Sequence, residues 1–373
     1  MRRLTNLPAF RIGANMSGDT SGIEAGLAAM ERGAWEEARA CFKTALAEQE
    51  SPEAYEGLCW VHWSLNEVDE LFQAIDRAFR LYRQAGDRLG AARIAMWAGT
   101  DNADFRGDLA AANGWHQRAA RLLEGLPPAP EHAWLLLLEG DMAMLVEDDA
   151  PRARARARAA TELAQELGVV DVEVIGRAME GFALVTEGDV AAGMRLLDEA
   201  AVAALGGEMT HPGYVGWALC YLLYACEQVR DHERAVEWCH KMREFAERSG
   251  MATLRGICRV HLAGVLIWRG DWQAAESELA DAALQLEPHH PLLAADGTVR
   301  LAELRHRQGR IEESTELFRS VEWHPLALLG LAELAIESGR PKDAKELVER
   351  YLRQVPESAR TQRGGAFELL VRA

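Results

Sequence analysis

The chain has 373 residues, 49% of them hydrophobic, and is therefore long enough to bury a large core. Its 58 acidic and 41 basic residues give a formal charge of −17, which disfavours direct contact with nucleic acid or anionic lipid. The six scattered cysteines lack CxxC spacing, and no apolar run is long enough to span a membrane, so we expect a reduced, cytoplasmic protein.

Turn signals recur along the chain. Residues 1–20 lack the apolar segment of a secretory signal and are expected to be a flexible lead-in. Beyond them, the expected turn centres are Gly33, Asn66, Gly107, Glu147, Gly188, Arg230, Gly270, Gly309 and Gly339. The roughly regular spacing of these turn centres predicts about nine helical hairpins over residues 21–356. Residues 357–373 then form a C-terminal helix, as a cap or as the start of a truncated further unit.

Small and bulky residues alternate at fixed positions of the paired helices. Small residues in the first helices are Gly26, Gly181, Ala263, Ala302 and Ala332, and those in the second helices are Ala38, Gly193, Ala235, Ala275 and Ala344. They let paired helices approach closely, and bulky residues one turn later fill the remaining space: Phe42, Leu197, Leu279, Phe318 and Val348. Each hairpin then buries its apolar face only against its neighbours, which predicts a superhelix.

The alternating arginines Arg152, Arg154, Arg156 and Arg158 suggest at first a nucleic-acid arm or an exposed strand. On a helix, however, Ala153, Ala157, Ala160 and Ala164 form one narrow stripe, and the arginines lie on its flanks. We therefore predict the second helix of the fourth hairpin here, capped by Asp148 or Asp149.

The pattern resembles the tetratricopeptide-repeat (TPR) family, best in the first unit, where Gly26, Ala38, Phe42 and Ala45 precede Pro52. Longer units such as FRGDLAAANGWHQRAARLLEGLPP, from Phe105, resemble the helical sensor region of LuxR-type bacterial transcription regulators. The resemblance implies an all-α fold, a right-handed TPR-like α-solenoid, and a sensing or regulatory role. No basic recognition helix follows Val355, so we expect either a DNA-binding domain beyond Ala373 or a module without its own DNA reader.

Catalytic and metal chemistry receive little support. Cys220, Cys226, Cys239, His240, Cys258 and His261 are the richest candidate metal cluster, but Cys226 and Cys239 occupy buried repeat positions, where cysteine packs as a small apolar residue. Asp101 and Asp104 form an i,i+3 carboxylate pair without a partner histidine. We expect no metal, no cofactor and no enzymatic activity; an enzyme using either group is the minor alternative. His289 and His290, next to prolines, are expected in a solvated turn.

In TPR arrays the first helix of each hairpin lines the concave side at fixed positions relative to its small residue. These positions, here called the family register, fall on thirteen residues of this chain. They are Trp60, Trp63, Trp97, Asp101, Asp104, Phe105, Trp134, Asp141, Phe182, Trp217, Tyr224, Glu227 and Trp268. Six of the eleven tryptophans fall in this set, so the register predicts an aromatic-acidic groove. Such a groove suits a protein, a peptide or a cationic or aromatic small molecule.

Two alternatives stay open. The tryptophans can simply pack between successive first helices, because a superhelix must fill its interior. A stand-alone scaffold or peptide receptor is the alternative to a regulator's sensing module, and a homodimer through the solenoid ends is a further expectation.

Overall fold

The computed structural model describes residues 21–250, 252–286 and 290–373, so the predicted lead-in 1–20 and His289 lie outside it. The described residues form nineteen α-helices and no strand. The helices are α1 (Ser21–Glu31), α2 (Trp35–Glu48), α3 (Pro52–Leu65), α4 (Val68–Ala85), α5 (Arg88–Arg106), α6 (Leu109–Leu123), α7 (Pro130–Leu145), α8 (Ala150–Leu167), α9 (Val170–Glu187), α10 (Val190–Leu205), α11 (Pro212–Gln228), α12 (His232–Ser249), α13 (Ala252–Arg269), α14 (Trp272–Leu286), α15 (Pro291–Arg307), α16 (Ile311–Ser320), α17 (Pro325–Glu337), α18 (Pro341–Gln354) and α19 (Arg360–Arg372).

Helices α1 to α18 pair into nine hairpins, as predicted, and α19 follows them. Eight of the nine expected turn centres have a positive φ, for example Asn66 at 62° and Arg230 at 58°. In the fourth hairpin the left-handed residue is Asp148 at 53°, one position after the predicted Glu147. A left-handed residue ends the first helix and turns the chain into the second, which explains the regular spacing of glycine.

The predicted small and bulky positions are buried in the structure, and they fit together in space. Phe42 is fully buried, and a methyl group on Gly26 would lie only 2.6 Å from its ring. Gly57, from the next hairpin, faces the same ring, since a methyl group there would lie 2.4 Å away. The ring is thus wedged between two backbones, and glycine is required on both sides of it.

The arginine-rich segment is a helix with an alanine core. Ala153, Ala157, Ala160 and Ala164 are fully buried in α8, and the main-chain N–H of Arg152 donates to Asp149 at the helix start. Each of the four arginines has a glutamate partner: Glu147 for Arg152, Glu187 for Arg154, Glu139 for Arg156 and Glu180 for Arg158. Because every charge is paired, the segment offers no unsatisfied basic surface for a polyanion.

The odd-numbered helices form the inner wall of the superhelix. From α5 to α19 each odd-numbered helix packs against the next one, whereas successive even-numbered helices lack comparable contacts. Contacts also join helices ten positions apart in chain order: α3 with α13, α5 with α15, and α9 with α19. One superhelical turn therefore takes about five hairpins, and the second turn lies directly on the first.

Specific side chains join the two turns. The indole N–H of Trp35 donates to the main-chain oxygen of Ser249 at 3.1 Å. The hydroxyl of Thr361 in α19 donates to the main-chain oxygen of Thr186 in α9 at 3.3 Å. A third contact joins Nε2 of His290 to Oδ1 of Asn66 at 3.1 Å.

The expectation of a solvated turn is wrong for His290. Its side chain is 1% exposed, and its ring centre lies 4.4 Å from that of Phe105. The local sequence resembles a surface turn, but the superhelix brings the tip of the second hairpin onto it.

Candidate functional site

An unbroken run of aromatic rings follows the inner wall. Trp63 contacts Trp60, and Trp60 lies 5.1 Å from Trp97, which in turn lies 5.4 Å from Trp134. These rings come from α3, α5 and α7, and the run ends on Trp217 of α11, 6.4 Å from Trp134. The structure therefore brings together five of the six tryptophans that the register marks.

Tyr214 and His211, which the register does not mark, hold this run from across the interior. The Tyr214 ring lies 5.6, 5.9 and 4.7 Å from Trp60, Trp97 and Trp134, respectively. The His211 ring lies 4.4 Å from Trp60, and burial lowers the pKa of His211 to about 3, so this histidine is neutral. The run is thus a packed structure in its own right, with Trp60 only 8% exposed.

Three carboxylates lie next to the rings, on α5 and α7. Tyr221 donates its hydroxyl proton to Asp141, and Trp217 donates its indole N–H to the same oxygen at 3.3 Å. Asp101 is 4% exposed, and neither it nor Asp104 has a hydrogen-bond or ion-pair partner among the described residues. A negative charge on either aspartate is therefore not balanced by a described residue.

Burial raises the pKa of each of these three carboxyl groups, and repulsion by a neighbouring carboxylate adds to the increase for Asp101 and Asp104. Burial raises the pKa of Asp104 to about 7, with Asp141 adding to the shift, and burial raises the pKa of Asp141 to about 6. Burial, with the charge of Asp104, also raises the pKa of Asp101 well above its ordinary value. A cation between these side chains would reverse all three shifts.

Glu227, by contrast, already has its counter-charges. Arg300 of α15 contacts one of its oxygens, and Nδ1 of His261 of α13 lies 2.9 Å from the other. Burial opposes ionisation, but these two neighbours hold the pKa of Glu227 below its ordinary value. Glu227 therefore belongs to an internal ion-pair network; Arg300, which completes it, lies outside the predicted set.

The remaining predicted residues lie apart from the carboxylates or against other rings. Phe105 is buried against His290, and Phe182 is buried against Tyr221 and Tyr224, at 5.8 and 5.9 Å. Trp268 is 40% exposed and has the guanidinium groups of Arg230 and Arg307 over its ring, at 5.0 and 4.1 Å. Trp268 thus faces cations of its own chain and not the acidic cluster.

A second buried network, which the sequence pattern does not reveal, fixes the inner wall next to the aromatic run. Arg93 of α5 bridges Glu56 of α3 and Glu131 of α7, with nitrogen–oxygen distances of 2.6 Å to each. The Tyr82 hydroxyl donates to Glu56 at 2.6 Å. The signal in the sequence is weak, because these residues are far apart and each looks like an ordinary surface charge.

Burial raises the pKa of five of the six cysteines: Cys59, Cys220, Cys226, Cys239 and Cys258. Burial raises the pKa of both Cys220 and Cys226 to about 12, so these thiols stay protonated at neutral pH. No group of three or more His, Cys, Asp or Glu side chains in the described residues is arranged to hold a metal ion. None of the described helices combines the length and the apolar character that a membrane span needs.

The sequence of the chain matches no protein-family model and no curated protein. Its structure is similar to that of a Rap protein complexed with competence and sporulation factor, with a TM-score of 0.61 and 12% identity, over 91% of this chain and 98% of that one. It is also similar to aspartyl phosphate phosphatase F from Bacillus subtilis, with a TM-score of 0.52 and 12% identity, over 93% of this chain and 97% of that one. At this identity the likeness concerns the fold alone: the chain is a TPR-like helical-repeat superhelix.

Proposed function

We propose that the chain is a binding module whose interior takes a positively charged peptide, protein segment or small molecule with apolar or aromatic bulk. The supporting observation is Asp101, a residue that is 4% exposed and whose carboxyl group has no partner among the described residues. Burying a carboxylate without a counter-charge is costly, and a bound cation would remove that cost. The run of rings beside it would hold the apolar part of the ligand by stacking and cation–π contacts.

One of the two proteins of similar fold supports this proposal. The Rap protein of similar fold was solved with competence and sporulation factor bound to it. A superhelix of this shape can therefore hold a ligand, although the residues that hold it must be argued for each chain separately.

We further propose that this module is the sensing part of a bacterial cytoplasmic transcription regulator, as the LuxR-type resemblance implies. The contacts between superhelical turns support this role, because a ligand that moves the inner wall also moves residues that join the turns. Phe105, for example, lies one position from Asp104 in α5 and packs on His290 of the second turn. The alternative is a stand-alone peptide receptor or scaffold that uses the same interior.

The test is thermal unfolding with a lysine-rich peptide and with spermidine, at pH 8, where Asp104 is ionised. A ligand at about 100 times its Kd should stabilise the protein by about 2.7 kcal/mol. We expect Asp101→Asn to remove this stabilisation and Asp343→Asn, at a side chain that is 55% exposed, to keep it. A ligand shift that is equal in wild type and Asp101→Asn, or the absence of any shift with either cation, contradicts the proposal.

A further inference from the structure

The superhelix has two kinds of edge, which already contact each other inside the chain. The tip edge consists of the turns within hairpins, and the base edge consists of the loops between hairpins. At the tip of the first hairpin, Gly33 lies against Ser249, so that a methyl group on Gly33 would meet the Ser249 carbonyl oxygen at 2.8 Å. The tips at Gly107 and Gly188 also face the base edge. A methyl group on Gly107 would lie 3.7 Å from the Pro291 side chain, and one on Gly188 would lie 3.8 Å from the Arg360 side chain.

The tip edge of the second turn has no such cover among the described residues. A methyl group on Gly270, Gly309 or Gly339 would meet nothing within 4 Å. The base edge of the first turn is open in the same sense, because Gly86, Gly125 and Gly168 also have open space around them. One end of the superhelix thus presents an open tip edge, and the other end presents an open base edge. Both kinds of edge are covered where the two turns meet.

Two equivalent tryptophans show what cover would do. Trp35 and Trp272 are each the first residue of a second helix, two positions after a turn glycine. Trp35, on the covered edge, is 4% exposed and donates its indole N–H to Ser249. Trp272, on the open edge, is 38% exposed. An indole at this position is therefore placed to dock on a base edge.

Exposed charged side chains lie on both open edges. The open tip edge carries the exposed arginines Arg230, Arg269 and Arg307 and also the exposed acidic residues Asp271, Glu312, Glu313 and Glu337. The open base edge carries the exposed glutamates Glu48, Glu124 and Glu166, which form no ion pair with a described residue. These glutamates can pair with the arginines of the tip edge, and such pairs favour contact between unlike edges.

We propose that the open tip edge of the sixth to ninth hairpins docks on the open base edge of the first to fourth hairpins of a second copy of this chain. The contact continues the interface that joins the two turns within one molecule. It is heterologous, because each copy contributes a different surface, so further copies can add in the same direction. This association is independent of the ligand proposed for the interior.

The test is sedimentation velocity of the full chain over a range of protein concentrations. We expect mass to grow with concentration, and to do so less at high salt. Trp272→Ala on the tip edge, and the joint change of Glu48, Glu124 and Glu166 to lysine on the base edge, should each weaken self-association at least about tenfold. Trp323→Ala, at a tryptophan that is 53% exposed but off the tip edge, should not change it.

Mixing the two variants is the decisive measurement. The tip variant keeps an intact base edge and the base variant keeps an intact tip edge, so the mixture should form a heterodimer that neither variant forms alone. Circular dichroism of each variant confirms that it is folded. A wild-type protein that stays monomeric at all concentrations, or a mixture that does not pair, overturns the proposal.

Discussion

The indole of Trp35 and the main-chain oxygen of Ser249 are 214 positions apart in the sequence and 3.1 Å apart in space. This hydrogen bond closes the first superhelical turn onto the second. Trp35→Ala should lower the free energy of unfolding by about 3–5 kcal/mol, because a buried ring and its bond are both lost. Urea unfolding followed by circular dichroism measures this, with Trp272→Ala, expected within about 1 kcal/mol of wild type, as the control. Equal losses in the two variants would show that the turn contact adds nothing.

Removing Arg93 should leave two glutamates buried without a counter-charge. The exposed fractions of the Glu56 and Glu131 side chains are 1% and 9%. We expect Arg93→Met to lower the free energy of unfolding by about 3–5 kcal/mol, and the additional changes Glu56→Gln and Glu131→Gln to recover part of the loss. Arg32→Met, which breaks an exposed pair with Glu37, should change stability by less than about 1 kcal/mol. A triple variant no more stable than Arg93→Met would show that packing, and not charge, is responsible.

The raised pKa of Asp104, about 7, gives a pH dependence with a definite sign. Because this pKa is above its value in the unfolded chain, the folded state binds more protons, and this group lowers stability as pH rises towards and through 7. Asp104→Asn should therefore be more stable than wild type at pH 8 and nearly equal to it at pH 4. The difference between the two proteins separates this effect from that of His211, whose lowered pKa acts in the opposite direction. If the difference in stability between wild type and Asp104→Asn were the same at pH 4 and pH 8, the assignment of this pH dependence to Asp104 would be refuted.

The wedge around Phe42 predicts a contrast between two glycines. Gly26→Ala should lower the free energy of unfolding by about 1–3 kcal/mol, because the new methyl group would lie 2.6 Å from the ring. Gly114 lies within α6 and would bring its methyl group within 4 Å of nothing, so Gly114→Ala should raise stability by about 0.5–1 kcal/mol. Thermal unfolding of both variants decides the matter, and destabilisation by Gly114→Ala would count against this account.

The local parts of the fold could be predicted from the sequence because their causes are local. A left-handed turn, a small residue and a bulky residue recur at fixed offsets, and Gly33, Ala38 and Phe42 are enough to define the first hairpin. The fourth turn differs by one residue because an aspartate, Asp148, takes the left-handed position there.

The contents of the interior could be predicted only in part. The family register marks Trp60, Trp97 and Trp134, but Tyr214, which packs against all three, lies in α11. Its position depends on how far the superhelix rotates over several hairpins, and no short sequence pattern encodes that rotation. The same reason explains why His290 resembles a surface residue in sequence and is buried in space.

The stacking of the second turn on the first also bears on how the chain unfolds. In an open repeat array each unit contacts only its neighbours, so the ends can fray while the middle stays folded. Here the first hairpin is held by the sixth, and α9 is held by α19, so neither region can unfold alone without losing contacts distant in sequence. We expect a single cooperative transition, and slow folding because such contacts raise the contact order.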